Sequence, residues 1–242
     1  MTAIRGVAAR SNIVGPVLAG PVLAGAVLAL LCGSLAGAGD ALFDGKTLNG
    51  WKGDFSYWSV ENGAIVGRTT ADRPLEHNIF LIYQGALPGD FELRLDFQIE
   101  NGNSGIQYRS KVIDEAKHIV GGYQADIDAT LRYMGILYEE RGRGILAERG
   151  QRVTIGDDGK KKVEQFAKAD ELAKFVHAGK WNHYRIVAKG NRLQHFINDV
   201  LMMELVDGQA TKAARNGVLA LQLHRGPPMV VRFKNIRIRK AE

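Results

Sequence analysis

Cysteine is all but missing from this 242-residue chain; Cys32 is the single one. It stands in the N-terminal segment, and a chain without that segment holds no thiol. A disulfide framework, a thiolate nucleophile and a cysteine-ligated zinc are then excluded. Basic runs are as scarce. Lys160-Lys161-Lys162 follows Asp157-Asp158-Gly159 in a turn, which reads as a solvated hairpin tip and not as a nucleic-acid patch. There is no H-E-x-x-H, no EF-hand loop and no repeat of solenoid or propeller length. Helical signal is almost absent too. One short helix is expected at 169–176, "ADELAKFV", with Asp170 and Glu171 near its start.

One long apolar run does occur. Ile13 to Leu31 carries no charge, Arg5 and Arg10 precede it, and Ala36-Gly37-Ala38 supplies small residues after it. This is the pattern of a secretory signal peptide over residues 1–38, leaving 39–242 as one exported domain, periplasmic or extracellular. The run approaches membrane-spanning length, but its internal Gly and Pro and the A-x-A ending favour cleavage over an anchor. Leu31, not a small residue, precedes Cys32, which argues against a lipoprotein. Removing two Arg and no acids leaves 32 − 2 = 30 basic residues against 26 acidic ones, a mild +4. No nucleic-acid partner and no stable span after cleavage are expected.

The remainder is dominated by strand signals. "WSVENGAIVG" holds two short strand patterns around Asn62-Gly63, a strong hairpin signal. "FELRLDFQI" alternates Phe91, Leu93, Leu95, Phe97 and Ile99 against polar residues, and "HYRIVAKGNRLQHFINDVLMMEL" reads as three strands turning at Gly190-Asn191 and Asn198-Asp199. Many short strands, Gly-rich turns and little helix predict an all-β antiparallel sandwich or jelly roll. Trp51, Trp58 and Trp181 are expected as core anchors.

Alternation also sets out a polar wall. In "GYQADID" with Asp128, Tyr123, Ala125 and Ile127 share one face, and Gln124, Asp126 and Asp128 the other. "GIQYRS" places Gln107 and Arg109 together, "LALQLH" places Gln222 and His224 together, and "GILYEE" separates Ile136, Tyr138 and Glu140 from Leu137 and Glu139. A solvent-facing sheet side needs no function. These groups, however, are short or planar and suit fixed hydrogen bonding. With Tyr108, Tyr123, Tyr133 and Tyr138 nearby, they fit a carbohydrate surface. Asp126, Asp128 and His224 are also candidate ligands for a divalent metal, the one possible cofactor. His118, His183 and His195 read as surface or packing histidines. "EERGRGILAERGQRV" (139–153) holds four Arg and three Glu and is either a solvated, internally paired loop or a rim from which Glu139, Arg141 or Arg143 reaches a ligand.

"LFDGKTLNGW", "NSGIQYR", "GYQADI", "GILYEE", "WNHYRIVAKGNRLQHFIN" and "FKNIRIR" occur in this order. Together they resemble the 3-keto-disaccharide hydrolase family, from about Ala41 to Lys240. The resemblance implies a concanavalin-A-like jelly roll and exported proteins acting on glycosides oxidised at C3. Fold alone does not separate an enzyme from a lectin. A C3 ketone acidifies the C2 hydrogen, so a base can remove it and the enolate can expel the C1 substituent; water then adds back. That chemistry needs a base, a cation for the enolate and an acid for the leaving oxygen. Asp126 or Asp128 is the candidate base, Arg109 the enolate cation, and His224 the acid or a metal ligand. Gln107, Gln124, Tyr123, Tyr138, Glu139, Arg141 and Gln222 are the candidate substrate contacts. Direct displacement by a carboxylate pair is the rival mechanism. A non-catalytic carbohydrate-binding module is the rival function, and a jelly roll without a ligand the third.

Overall fold

The computed structural model describes residues 39–241. The proposed signal segment, residues 1–38, lies outside them. In chain order the strands are β1 (Asp40–Ala41), β2 (Trp51–Lys52), β3 (Trp58–Glu61), β4 (Ala64–Arg68), β5 (Ile79–Tyr83), β6 (Phe91–Glu100), β7 (Asn103–Asp114), β8 (Ile119–Asp128) and β9 (Leu137–Glu140). There follow β10 (Gly144–Ala147), β11 (Gln151–Ile155), β12 (Lys161–Gln165), helix α1 (Ala169–Ala173), β13 (Asn182–Lys189), β14 (Arg192–Ile197), β15 (Val200–Asp207), β16 (Val218–Leu223) and β17 (Val230–Lys240).

The strands form two sheets. One runs β12-β11-β15-β14-β13-β6-β17-β4-β3 with β1 added on β17; the other runs β10-β9-β8-β7-β16-β5-β2. Pairing is antiparallel throughout except between β11 and β15. The expected hairpins are present. Asn62-Gly63 and Asn198-Asp199 turn with both residues at positive φ, the form that matches strand twist. The helix is shorter than expected. Asp170 and Glu171 stand in its first turn as expected, but Lys168 supplies no side-chain cap and the last turn holds no basic residue. Asn182 instead bonds the backbone N–H and C=O of His177 and ties the segment down as turns.

Between the sheets lies one large apolar cluster. Leu93, Leu95, Phe97, Val231 and Phe233 from the larger sheet meet Ile106, Tyr108, Tyr123, Ala125, Leu219 and Leu221 from the smaller. Trp51 and Trp58 are buried in it. Trp181 is not a core anchor; it is half-buried, with the Lys234 ammonium 4.1 Å from its ring centre. His195 is a packing histidine, wedged between Tyr108 and Tyr184 and held neutral by burial, which pushes its pKa down to about 3.

The outer face of the smaller sheet is not a plain solvent face. Phe80, Ile82, Val120 and Ala220 make a second apolar cluster there. Beside them Gln107, Gln124 and Gln222 are fully buried. β8 is thus covered on both sides for most of its length, and its outward polar side chains form a built interior.

Candidate active site

The outward row of β8 reads Asp128, Asp126, Gln124. Register sets Gln124 between Gln107 of β7 and Tyr138 of β9, and sets Asp126 opposite Gly105. Gly105 leaves space that the Gln124 side chain fills; a Cβ there would lie 2.5 Å from Gln124 Cδ. A directed hydrogen-bond chain results. Ser110 Oγ donates to Gln107 Oε1 at 2.6 Å, Gln107 Nε2 to Gln124 Oε1 at 2.7 Å, and Gln124 Nε2 to Asp126 Oδ1 at 2.7 Å. Each bond polarises the next, and the chain ends on the Asp126 carboxyl.

Asp126 sits at the floor of a cleft of about 540 Å³, a size suited to a small ligand. The wall includes Asn103, Arg132, Tyr138, Glu140 and His224. Burial pushes the Asp126 pKa up to about 8; the Gln124 hydrogen bond opposes this, and the charges of Glu140 and Asp128 add to it. Burial also raises Glu140, against a hydrogen bond from Asn78 and the charges of Arg141 and His224. A buried carboxyl that is a stronger base than usual, in a cleft with a second carboxyl and an imidazole, is an arrangement able to move protons.

Asp126, Asp128, Gln124, Tyr138 and His224 are brought together as expected, but Asp128 has another task. Its Oδ1 accepts the Thr130 N–H at 3.0 Å, and its Oδ2 accepts the Thr130 hydroxyl at 2.8 Å and the Tyr133 N–H at 2.9 Å. It organises the 129–136 loop that walls the cleft. Arg149, buried, pins the same loop by donating to the carbonyls of Leu131 and Met134, both at 2.7 Å. The trio Asp126, Asp128 and His224 is not a metal-ligand cluster, and no group of three or more His, Cys, Asp or Glu able to hold a metal occurs among the described residues.

Several expected site residues lie elsewhere. Arg109 falls in a bulge of β7 between Tyr108 and Lys111, at φ 48°, so the alternation breaks before it. Its guanidinium is buried on the carbonyls of Gly89, Gly190 and Ala214 and the carboxylate of Asp90. It ties loops together and does not reach the cleft. Tyr123 faces the sandwich core, where its hydroxyl donates to Asp207 at 2.5 Å. Glu139 is on that side too, bound in a fork to Arg143, which also grips Asp207. Arg141 is exposed in the following turn and lines a neighbouring depression. Gln107 and Gln222 stand behind Gln124, out of reach of a ligand; the Gln222 Nε2 is buried without an acceptor among the described residues.

The wall also holds groups that were not expected, Glu140, Asn103 and Arg132 among them. Glu140 shares the outward face of β9 with Tyr138, a parity the alternation of "GILYEE" already carried. Asn103 is on the outward row of β7 with Gly105 and Gln107. Arg132 comes from the 129–136 loop, which has no period to read; it is the arginine that lines the cleft, with its guanidinium 5.4 Å from the centre of the Tyr133 ring.

Residues 39–239 match the family described as 3-keto-alpha-glucoside-1,2-lyase-like domain. No curated protein sequence matches the chain. Among solved structures, a Parabacteroides distasonis protein provisionally named a glycosyl hydrolase superposes with a TM-score of 0.54 at 20% identity, over 84% of this chain and 98% of that one. The carbohydrate-binding module CBM66 of Bacillus subtilis gives 0.52 at 16%, over 79% and 96%. The β-glucanase of Bacillus licheniformis gives 0.50 at 10%, over 86% and 99%. At such identities the likeness is one of fold, a jelly roll that hydrolases and binding modules share.

Proposed function

The chain belongs to the 3-keto-alpha-glucoside-1,2-lyase-like domain family, and from that membership we propose that it is an exported enzyme cleaving 3-keto-glycosides by elimination across C2 and C1, followed by hydration. The observation that carries this reading is Asp126, a buried carboxyl pushed up to about 8 at the floor of a cleft. A C–H bond beside a ketone is a weak acid, and a carboxylate of raised basicity matches it better than an ordinary one.

Asp126 takes the C2 proton, and the electron pair moves into the C3 carbonyl to give an enolate. Arg132, at the rim, faces that oxygen with positive charge, and Asn103 and Tyr138 offer neutral hydrogen bonds. The enolate re-forms the ketone as the C1–O bond breaks, and His224 supplies the proton for the departing oxygen. Water then adds at C1 and a proton returns to C2, so the sum is hydrolysis. Burial keeps the proton affinity of Asp126 high, and Glu140 adds to it through like charge.

The test is turnover of a 3-keto-disaccharide by the wild type and by Asp126→Asn. Asn keeps the size and one acceptor but takes no proton, and the expected loss is about two to four orders of magnitude in kcat/KM. Where abstraction of the C2 proton limits the rate, the wild-type rate should rise with pH through about 8, as Asp126 ionises. Equal rates for the two proteins would remove the acid–base role and leave carbohydrate binding as the better reading. A rate that falls as pH rises through about 8 would make Asp126 the acid instead.

A further inference from the structure

A second depression, of about 660 Å³, adjoins the cleft, and Glu140 lines both. Its floor continues the outward row of β8. After Asp128, Asp126 and Gln124 the next outward position is Gly122, where no side chain stands. Gly122 lies at φ +138°, and a Cβ there would meet Ser110 Oγ at 2.6 Å, so the bare backbone is built in. Around this floor stand Lys111 from β7, Arg141 from the β9–β10 turn, and Lys212 and Arg215 from the 208–217 loop. Among the described residues, the side chains of Lys111, Lys212 and Arg215 make no ion pair or hydrogen bond, and Arg141 acts on Glu140 only through space. The other two guanidiniums here are already engaged, Arg109 by Asp90 and Arg143 by Glu139 and Asp207.

Single surface cations are commonplace. Here four cations without a hydrogen-bonded partner converge from three elements on one concavity, against two carboxylates, Glu139, already paired with Arg143, and Glu140, whose Oε1 is turned to Asn78. A concavity lined by one sign of charge focuses its field on whatever enters. Ile113, 56% exposed, gives the same depression an apolar edge suited to the C–H face of a pyranose. We infer that this depression is an anion subsite of the saccharide surface, taking the carboxylate of a uronic acid that lies beyond the keto sugar. The preferred substrate is therefore an acidic disaccharide or a longer acidic glycan. This rests on the proposed reading of the cleft.

The experiment is calorimetric titration of the full chain with cellobiose and with the disaccharide in which a glucuronate replaces one glucose. The uronate is expected to bind about tenfold more tightly at low salt, equivalent to about 1.4 kcal/mol. Raising the salt should erase most of that preference, because exposed charges are screened. The double substitution Lys212→Gln, Arg215→Gln should reduce the preference severalfold, with circular dichroism and melting temperature checking the fold. Equal affinities, no measurable binding of the uronate, or a preference untouched by both salt and substitution overturns the subsite. A 6-sulfated disaccharide that outbinds the uronate overturns the choice of carboxylate. Turnover of a neutral 3-keto-disaccharide by the wild type is read separately: turnover without uronate preference sinks the subsite alone, and uronate preference without turnover sinks the hydrolase reading alone.

Discussion

Asp126 is 6% exposed, so it is not the wet-cleft side chain its polar strand suggested, and its effect on stability has a definite sign. Its native pKa is raised from 3.8 to about 8. Between those values the folded form keeps a proton that the unfolded form releases. Stability therefore falls as pH rises across that window, by about 1.4 kcal/mol per unit from this one group, and levels off above it. Asp126→Asn removes the titration. The variant is expected to be inactive, yet more resistant to urea than the wild type at pH 8, with the two converging near pH 4. Parallel pH dependences would show that the carboxyl is already ionised in the fold. At this scale the sequence was a good guide only where the period of two was unbroken. Gln124, Asp126, Tyr138, Glu140 and His224 all follow it. Arg109 has the right parity but sits in a bulge, and nothing in "QYRSK" announces the extra residue.

At the scale of elements, β7 earns its place at the site by an omission. Gly105→Ala would drive a methyl group into the Gln124 amide, which has Gln107 on one side and Asp126 on the other. Overpacking of this kind costs about 1–3 kcal/mol. The larger effect should be on kcat, through displacement of Asp126; a variant with wild-type kcat would show that the Gln107–Gln124 chain does not position the carboxyl. The hairpins were legible because a two-residue turn with positive φ accepts few residue types. The β11–β15 parallel pair was not, since a distant partner leaves no local mark. The 129–136 loop was equally silent, and with it Arg132 and the capping role of Asp128.

For the whole molecule, cleavage after Ala38 remains a proposal, and intact mass of the protein recovered outside the cytoplasm tests it. Loss of the first 38 residues is expected; an intact N-terminus or a lipid on Cys32 would show that the segment anchors the chain. The sandwich itself was readable from strand spacing, but the order of strands was not, because it depends on which apolar faces find each other across the fold. One part of that order reaches beyond the finished structure. β17 runs between β6 and β4, inside the larger sheet and paired on both sides. Deleting Val230–Lys240 should therefore abolish cooperative unfolding and not merely trim an edge, and a sharp melting transition in the truncated chain would contradict this. While those residues are still inside the ribosome, β6 and β4 have no neighbour in common, and the sheet has a gap that nothing made earlier can fill.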